Sequence, residues 1–291
     1  MKLKLRYNRE TTGPLNGGLY ICEDKPILRG KETAAMMNTL TISEIKRRLK
    51  GLHTLEDPFV QECRQDKRKG VQAALLSFEK AIARQEEERR QFESKTVFEK
   101  QMREEGFQYI VGIDEAGRGP LAGPVVAGAV ILPENFYLPG LNDSKQISAA
   151  KREQYFEYIQ ENALAVGVGI IHSKEIDEIN IYEAAKKAML SAVNQLNIFP
   201  EYALIDAMKL DLPIPQMSLI KGDSKSISIA AASIIAKETR DRLMKEYAEI
   251  YPQYGFEKHM GYGTSAHLEA IEKYGPVDWH RMTFAPLKEK F

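Results

Sequence analysis

The order of apolar and polar positions divides the chain into three zones. Residues 1–36 hold no sustained period, and turn signals at Gly13-Pro14 and Asn16-Gly17-Gly18 sit among scattered basic residues. The segment reads as a poorly ordered tail, or as upstream sequence read in from a misplaced start at Met1, with translation truly beginning near Met37. A real extension that adds a strand is the alternative, because Leu19-Tyr20-Ile21 and Pro26-Ile27-Leu28 are locally β-like. Residues 37–106 read as helices. Thr41 and Glu44 stand at capping-box spacing, and Ile42, Ile45, Leu49 and Leu52 follow at helical intervals. Asp57-Pro58 marks a helix start and Gly70 a stop. Val71, Leu75, Phe78 and Ile82 then form another apolar stripe, which gives way to the solvated charge run 85–90. Thr96 and Glu99 cap a last short helix ended by Gly106. With no acidic cluster at a strand end, this zone is expected to be an accessory module that strengthens substrate binding or docks on the catalytic part.

From Phe107 the period changes. Residues 109–113, 124–132 and 164–171 are short runs rich in Val and Ile, separated by Gly, Pro, Asn and Asp, and they predict strands. Helical spacing returns at Ile176, Ile179, Tyr182, Ala185, Met189 and Val193. A strand over 202–205 precedes Asp206, and another over 216–220 precedes Lys221-Gly222-Asp223. A long helix is expected from about Ser226 to Tyr247, with Ala230, Ile234 and Met244 facing inward. Three successive strands followed by strand–helix alternation predict an α/β fold over 107–291, a mixed sheet flanked by helices.

Composition narrows the class. The 291 residues suffice for one full domain plus a smaller one, and 43% hydrophobic with 28% charged residues is an ordinary globular balance. No apolar run approaches the roughly 18 residues of a membrane helix, and the first residues lack the apolar core of a secretory signal. Cys22 and Cys63 form no CxxC pair, so neither a zinc site nor a disulfide framework is suggested, and a reducing cytoplasm is the expected home. Lys+Arg and Asp+Glu balance at 41 each. That argues against a protein holding nucleic acid by net charge alone, and it suits an enzyme that surrounds hidden carboxylates with basic residues.

The acids supply the first candidate chemistry. Asp114 and Glu115 end the first predicted strand, Asp206 ends the fourth, and Asp223 lies just past the fifth. Function in open α/β sheets gathers at the carboxyl ends of strands. If these strands are neighbours running the same way, their carboxylates converge, and such a cluster is tolerated by protonation or by divalent cations. All-oxygen donors favour Mg²⁺ or Mn²⁺, and a pair of such ions suits phosphodiester hydrolysis. Taken singly, each acid has a plain structural alternative; Asp223 in GDSKS could be a helix N-cap.

Two further stretches stand out. Gly117-Arg118-Gly119 follows the acids at once, and flanking glycines that allow positive φ and expose N–H groups suit a phosphate backbone, as does Arg118. A tight turn is the alternative. In the aromatic segment 251–264, Tyr251, Tyr254 and Phe256 could stack on bases or cover the core, whereas Tyr262, held between two glycines, is the better ligand contact. His53, His172, His259, His267 and His280 show no zinc-type spacing and read as surface or structural residues.

Together, GIDEAGRGPLAGPVVAGAV, LNDSKQIS, INIYEA, LIDAM, KGDSKSISIAAASIIAKETRD and HMGYGT resemble type 2 ribonuclease H, the bacterial ribonuclease HII family, over about 109–286. The helical leader also resembles that of some Gram-positive members. The resemblance implies a ribonuclease H fold, a five-stranded mixed sheet flanked by helices with a helical C-terminal portion. It implies Asp114, Glu115, Asp206 and Asp223 as the acidic active-site residues, the first three as metal ligands. Gly117, Arg118 and Gly119 would grip the nucleotide at an RNA–DNA junction, Tyr262 would lie against the adjacent sugar, and Lys145 would contact phosphate. The implied substrates are RNA–DNA hybrids and DNA duplexes containing ribonucleotides, cut 5′ of the ribonucleotide with Mn²⁺ or Mg²⁺ to leave 3′-hydroxyl and 5′-phosphate ends. A monomer acting away from membranes is expected. Three alternatives stay open: a ribonuclease HIII-like hybrid nuclease, whose motif typically carries Thr where this chain has Arg118, another metal nuclease on the same fold, and an inactive nucleic-acid-binding module.

Overall fold

A computed structural model describes residues 39–142 and 144–291. The expectations for residues 1–36 lie outside the described residues, as does the side chain of Lys145. The chain divides into two compact units, one ending at Ile82 and the other running from Ala83 to Phe291.

Within the first unit, α1 (Ile42–Lys50) starts with the expected capping box, Thr41 and Glu44 each accepting from the other's backbone N–H. Asp57 caps α2 (Pro58–Gln65) with Pro58 at its first position. Ile45, Leu49, Phe59, Val60, Cys63, Val71, Leu75 and Phe78 close a small apolar core. Gly70 does not stop a helix; it lies in the first turn of α3 (Lys69–Ser94). A Cβ there would stand 2.4 Å from Ile42 Cδ1, so the glycine lets the Ile42 side chain pack close against this turn and does not end the helix.

In the second unit, α4 (Val97–Glu104) begins after Thr96, but Thr96 makes no side-chain cap. Glu99 is buried instead. Its carboxyl accepts from Ser226 Oγ (2.5 Å) and from the Ser228 N–H (3.0 Å). Phe92 and Met102 are also buried within this unit.

The sheet is the expected five-stranded mixed one, with order β3-β2-β1-β4-β5. Its strands are β1 (Ile110–Ala116), β2 (Val125–Ile131), β3 (Ala165–Ile171), β4 (Tyr202–Asp206) and β5 (Gln216–Leu219). The first three form an antiparallel meander, and β1, β4 and β5 run parallel. Interior β2, beside the central β1, is buried on both faces, which is why its sequence is unbroken VVAGAVI, whereas edge β3 alternates. One face is covered by α7 (Ile181–Asn194) through Ala184, Ala185, Ala188 and Ala192. The other carries α5 (Ala149–Asn162) and the long α8 (Ile227–Ile250). The helix α8 sits so close to β1 that a Cβ on Gly112 would lie 2.0 Å from the Ser228 carbonyl carbon. That contact fixes α8, and the turn before it, against the strand carrying Asp114. The remaining helices, α6 (Ser173–Ile179), α9 (Phe256–His259), α10 (Ser265–Tyr274) and α11 (Leu287–Lys290), include the helical C-terminal portion. Among the described residues no helix is long and apolar enough to cross a membrane.

Candidate active site

Parallel pairing of β1 with β4 places Ile113 opposite Ile205, so Asp114 and Asp206 leave the two central strands side by side. Carboxylate oxygens of Asp114, Glu115 and Asp206 lie within 4.8 Å of one another. Asp114 is 5% exposed. Burial, then the Glu115 and Asp206 charges, hold its pKa well above the ordinary carboxylate range, against hydrogen bonds from Ser233 and the Glu115 N–H. Burial also raises Glu115, opposed by Arg118, whose Nη1 lies 3.2 Å from Glu115 Oε1. The other oxygen, Glu115 Oε2, is buried with no hydrogen-bond partner. Crowded carboxylates with an unsatisfied buried oxygen are the donor set a hard divalent cation satisfies. The residues therefore fit such an ion.

Asp223 stands outside this 4.8 Å group, on the 3₁₀ turn Gly222–Ser224 that follows β5. The turn is tied to the cluster because the Gly222 N–H donates to Asp206 Oδ1 at 2.6 Å. Asp223 is not the helix cap; Ser226 caps α8 by accepting from the Ile229 N–H. Ala207 (φ 47°) and Lys221 (φ 56°) hold left-handed conformations that cost a non-glycine residue free energy. They flank Asp206 and the Asp223 turn, where strain aims the chain.

The loop after β1 turns at Gly117, whose φ is 93°; Gly119 has no positive φ, so only the first glycine is needed for backbone freedom. A Cβ on Gly119 would lie 3.6 Å from Tyr262 Cε1, so the structure brings the glycine loop and the half-exposed Tyr262 ring together. Tyr254 and Phe256 are buried and stacked on each other, and Tyr251 packs edge-on against Trp279. Those three serve the core.

Two arginines that the sequence reading did not single out brace these loops. Arg281, with no exposed surface, donates to the carbonyls of Gly117 (2.6 Å), Arg118 (2.9 Å) and Gly123 (2.8 and 3.0 Å). Arg240 donates to those of Ala122, Pro124 and Met260. Among the described residues, neither guanidinium hydrogen-bonds or ion-pairs with an acidic side chain. Burial, with Arg240 nearby, lowers Arg281 to about 9, and burial lowers Arg240 to about 10. Turning the carbonyls inward leaves two cations behind the loop that follows the carboxylates, a favourable field for an anionic backbone. Arg240 could have been suspected from its spacing, four residues from both buried Ala236 and buried Met244. Arg281 follows no such period.

Residues 111–287 match the family model described as Ribonuclease HII, and residues 41–103 match that of the Ribonuclease HII N-terminal domain. The chain is 56% identical over 253 residues to ribonuclease HII of Bacillus cytotoxicus, covering 87% of this chain and 98% of that protein. It is 57% identical over 252 residues to ribonuclease HII of Bacillus licheniformis, with 87% and 99% covered. Among solved structures it is similar to ribonuclease H2 from Pyrococcus horikoshii, at 28% identity and TM-score 0.54, over 62% of this chain and 95% of the other. It is likewise similar to ribonuclease HII in a PCNA complex from Archaeoglobus fulgidus, at 26% identity and TM-score 0.52, over 60% and 95%. On sequence and fold together, the chain belongs to the ribonuclease HII family.

Proposed function

We propose that this nuclease hydrolyses the RNA strand of RNA–DNA hybrids and cuts on the 5′ side of ribonucleotides embedded in duplex DNA. The observation that carries the proposal is the convergence of Asp114, Glu115 and Asp206 within 4.8 Å beside a glycine loop with buried arginines behind it. In this reading Asp114, Glu115 and Asp206 hold divalent metal, Mn²⁺ or Mg²⁺, and Asp223 completes the site for a second ion when substrate is bound. Two such ions supply the charge that activates water and stabilises the leaving 3′-oxygen. The P–O3′ bond breaks, leaving a 3′-hydroxyl upstream and a 5′-phosphate on the ribonucleotide. Gly117, Arg118 and Gly119 bind the junction nucleotide, with backbone N–H groups and the Arg118 guanidinium meeting phosphate and sugar oxygens. A contact to the 2′-hydroxyl discriminates RNA from DNA at a single position. Tyr262 packs its ring on the adjacent sugar, and Lys145 contacts phosphate.

The test is cleavage of a DNA duplex carrying one ribonucleotide, beside an all-DNA control and an RNA–DNA hybrid, with Mg²⁺, with Mn²⁺ and with EDTA. Cutting 5′ of the ribonucleotide that EDTA abolishes is expected. Activity in EDTA, or a hybrid cut with the single ribonucleotide untouched, would overturn the mechanism or the specificity respectively.

A further inference from the structure

The two buried histidines His267 and His280 form a directional hydrogen-bonded chain that ends on Tyr262. Val277 donates its N–H to His280 Nδ1 at 2.9 Å. The Val277 carbonyl also lies 3.2 Å from that nitrogen, but the shorter N–H contact claims the ring lone pair. The proton of neutral His280 therefore sits on Nε2, which faces His267 Nε2 at 3.1 Å. His267 Nε2 must accept, so the His267 proton sits on Nδ1 and is donated to the Tyr262 carbonyl at 2.9 Å. Each ring thus has one tautomer compatible with its neighbours. The chain also requires both rings to be uncharged, because a second proton on His267 would set its Nε2–H against that of His280 across 3.1 Å, and one on His280 would set Nδ1–H against the Val277 N–H at 2.9 Å. Burial lowers both to about 4, which keeps them neutral. His259 lies on His267 with ring centroids 4.5 Å apart, and the Tyr262 N–H donates to the His259 carbonyl at 2.9 Å. The Tyr262 peptide is held at both ends, its carbonyl accepting from the Thr264 N–H at 2.8 Å as well as from His267, although its side chain is 46% exposed.

We propose that His267 and His280 are positioning residues for substrate recognition, a neutral pair that fixes the Tyr262 carbonyl and so holds the Tyr262 ring beside Gly119. This rests on the reading that Tyr262 meets the substrate sugar. Neither histidine reaches the carboxylate cluster in any hydrogen bond of the structure, so the effect is expected on substrate affinity and not on the chemical step.

Two measurements on the full-length protein test it. Imidazole ¹⁵N spectra should show His267 protonated at Nδ1 and His280 at Nε2 at neutral pH; the opposite tautomers, or a charged ring, would overturn the proposal without any substitution. Steady-state cleavage of the single-ribonucleotide duplex supplies the functional arm. His267→Asn keeps a donor at the Nδ1 position and should hold KM within about threefold of wild type, whereas His267→Gln puts its donor at Nε2 and should raise KM about tenfold with kcat nearly unchanged. His280→Gln keeps the Nε2 donor and should stay near wild type, a second handle should His267→Gln fold poorly. Mere loss of stability lowers the amount of active enzyme, and so kcat, but does not sort Asn from Gln on KM. If Tyr262→Ala raises KM while His267→Gln does not, the positioning role falls and the Tyr262 reading stands. If Tyr262→Ala itself keeps wild-type KM, the Tyr262 reading falls, and the positioning proposal with it. In the double variant His267→Gln/Tyr262→Ala, KM should match that of Tyr262→Ala alone; multiplied effects would show that the histidines act elsewhere.

Discussion

Asp114→Asn should move activity and stability in opposite directions, and the structure sets the scale. Two like charges 4.8 Å apart, the outer limit of the carboxylate cluster, repel by roughly 3.5 kcal/mol at an effective dielectric constant of about 20. Asp114 faces two such neighbours, Glu115 and Asp206. Protonation caps the penalty, because giving an ordinary carboxyl a proton at pH 7 costs about 4 kcal/mol. The Arg118–Glu115 pair at 3.2 Å relieves part of the repulsion, so a gain of about 1–3 kcal/mol is expected for metal-free Asp114→Asn. Asn is nearly isosteric, and its Oδ1 still accepts the Glu115 N–H that Asp114 takes at 2.7 Å. For a unit of this size the gain raises the unfolding midpoint by roughly 3–10 °C. The sign with pH follows from the raised Asp114 pKa. The protonated carboxyl stabilises the fold fully below the unfolded-state value, and that contribution is lost as pH rises through the folded-state value. The gap between variant and wild type should therefore be small near pH 4 and widen toward neutrality. Thermal unfolding in EDTA and in Mn²⁺, beside cleavage of the single-ribonucleotide duplex, measures both quantities. The variant should melt higher in EDTA, gain less from Mn²⁺, and cleave slower by on the order of 10³-fold or more. A variant that melts below wild type in EDTA, or turns over normally at saturating Mg²⁺ or Mn²⁺, would refute the reasoning.

Other consequences are as direct. At subsaturating substrate, Tyr262→Phe should keep most activity if the ring face is what meets the sugar, and Tyr262→Ala should lose most of it through a raised KM; equal losses would assign the role to the hydroxyl, and no loss in either would return Tyr262 to packing. Arg281→Met strips donors from the Gly117, Arg118 and Gly123 carbonyls and should cost roughly 3–5 kcal/mol, read as a lower urea midpoint; an unchanged midpoint would show that water replaces the guanidinium without cost. His267 and His280, lowered to about 4 by burial, take up protons on unfolding below about pH 6.5, so their contribution to stability is lost as pH falls from 6.5 toward 4. Wild type should accordingly lose stability relative to the His267→Asn/His280→Gln double variant across that window, and parallel curves would refute it. A chain beginning at Ala83 should fold and cut, whereas one beginning at Lys100 lacks Phe92 and Glu99, two buried side chains of the same unit, and should melt lower; equal midpoints would show those contacts to be dispensable.

What could be read from sequence here was whatever repeats along the chain. The unbroken apolar run of β2, the alternation of β3 and the i, i+3/i+4 spacing of α7 each follow from a strand or helix burying one or both faces, and that pattern is local. Strand-end acids were legible for the same reason: Asp114, Glu115 and Asp206 are anomalies against apolar neighbours, and parallel pairing of β1 with β4 was enough to bring them together. Local patterns failed where a side chain takes its partner from far along the chain. Thr96 and Glu99 have the spacing of a capping box, yet Glu99 accepts from Ser226 and Ser228, about 130 residues on. In GDSKS, Asp223 and Ser226 both suit an N-cap, and only the 3₁₀ turn after β5, which starts α8 at Ile227, assigns the role to Ser226. Arg281 and His267 are harder still, because the groups they donate to are backbone carbonyls, at Gly117, Arg118 and Gly123 for the first and at Tyr262 for the second. Every residue carries a carbonyl, so no residue type marks one as awaiting a donor. The groups that could face a metal thus announce themselves by their chemistry, whereas the groups that brace the loops beside them become visible only once the fold has closed.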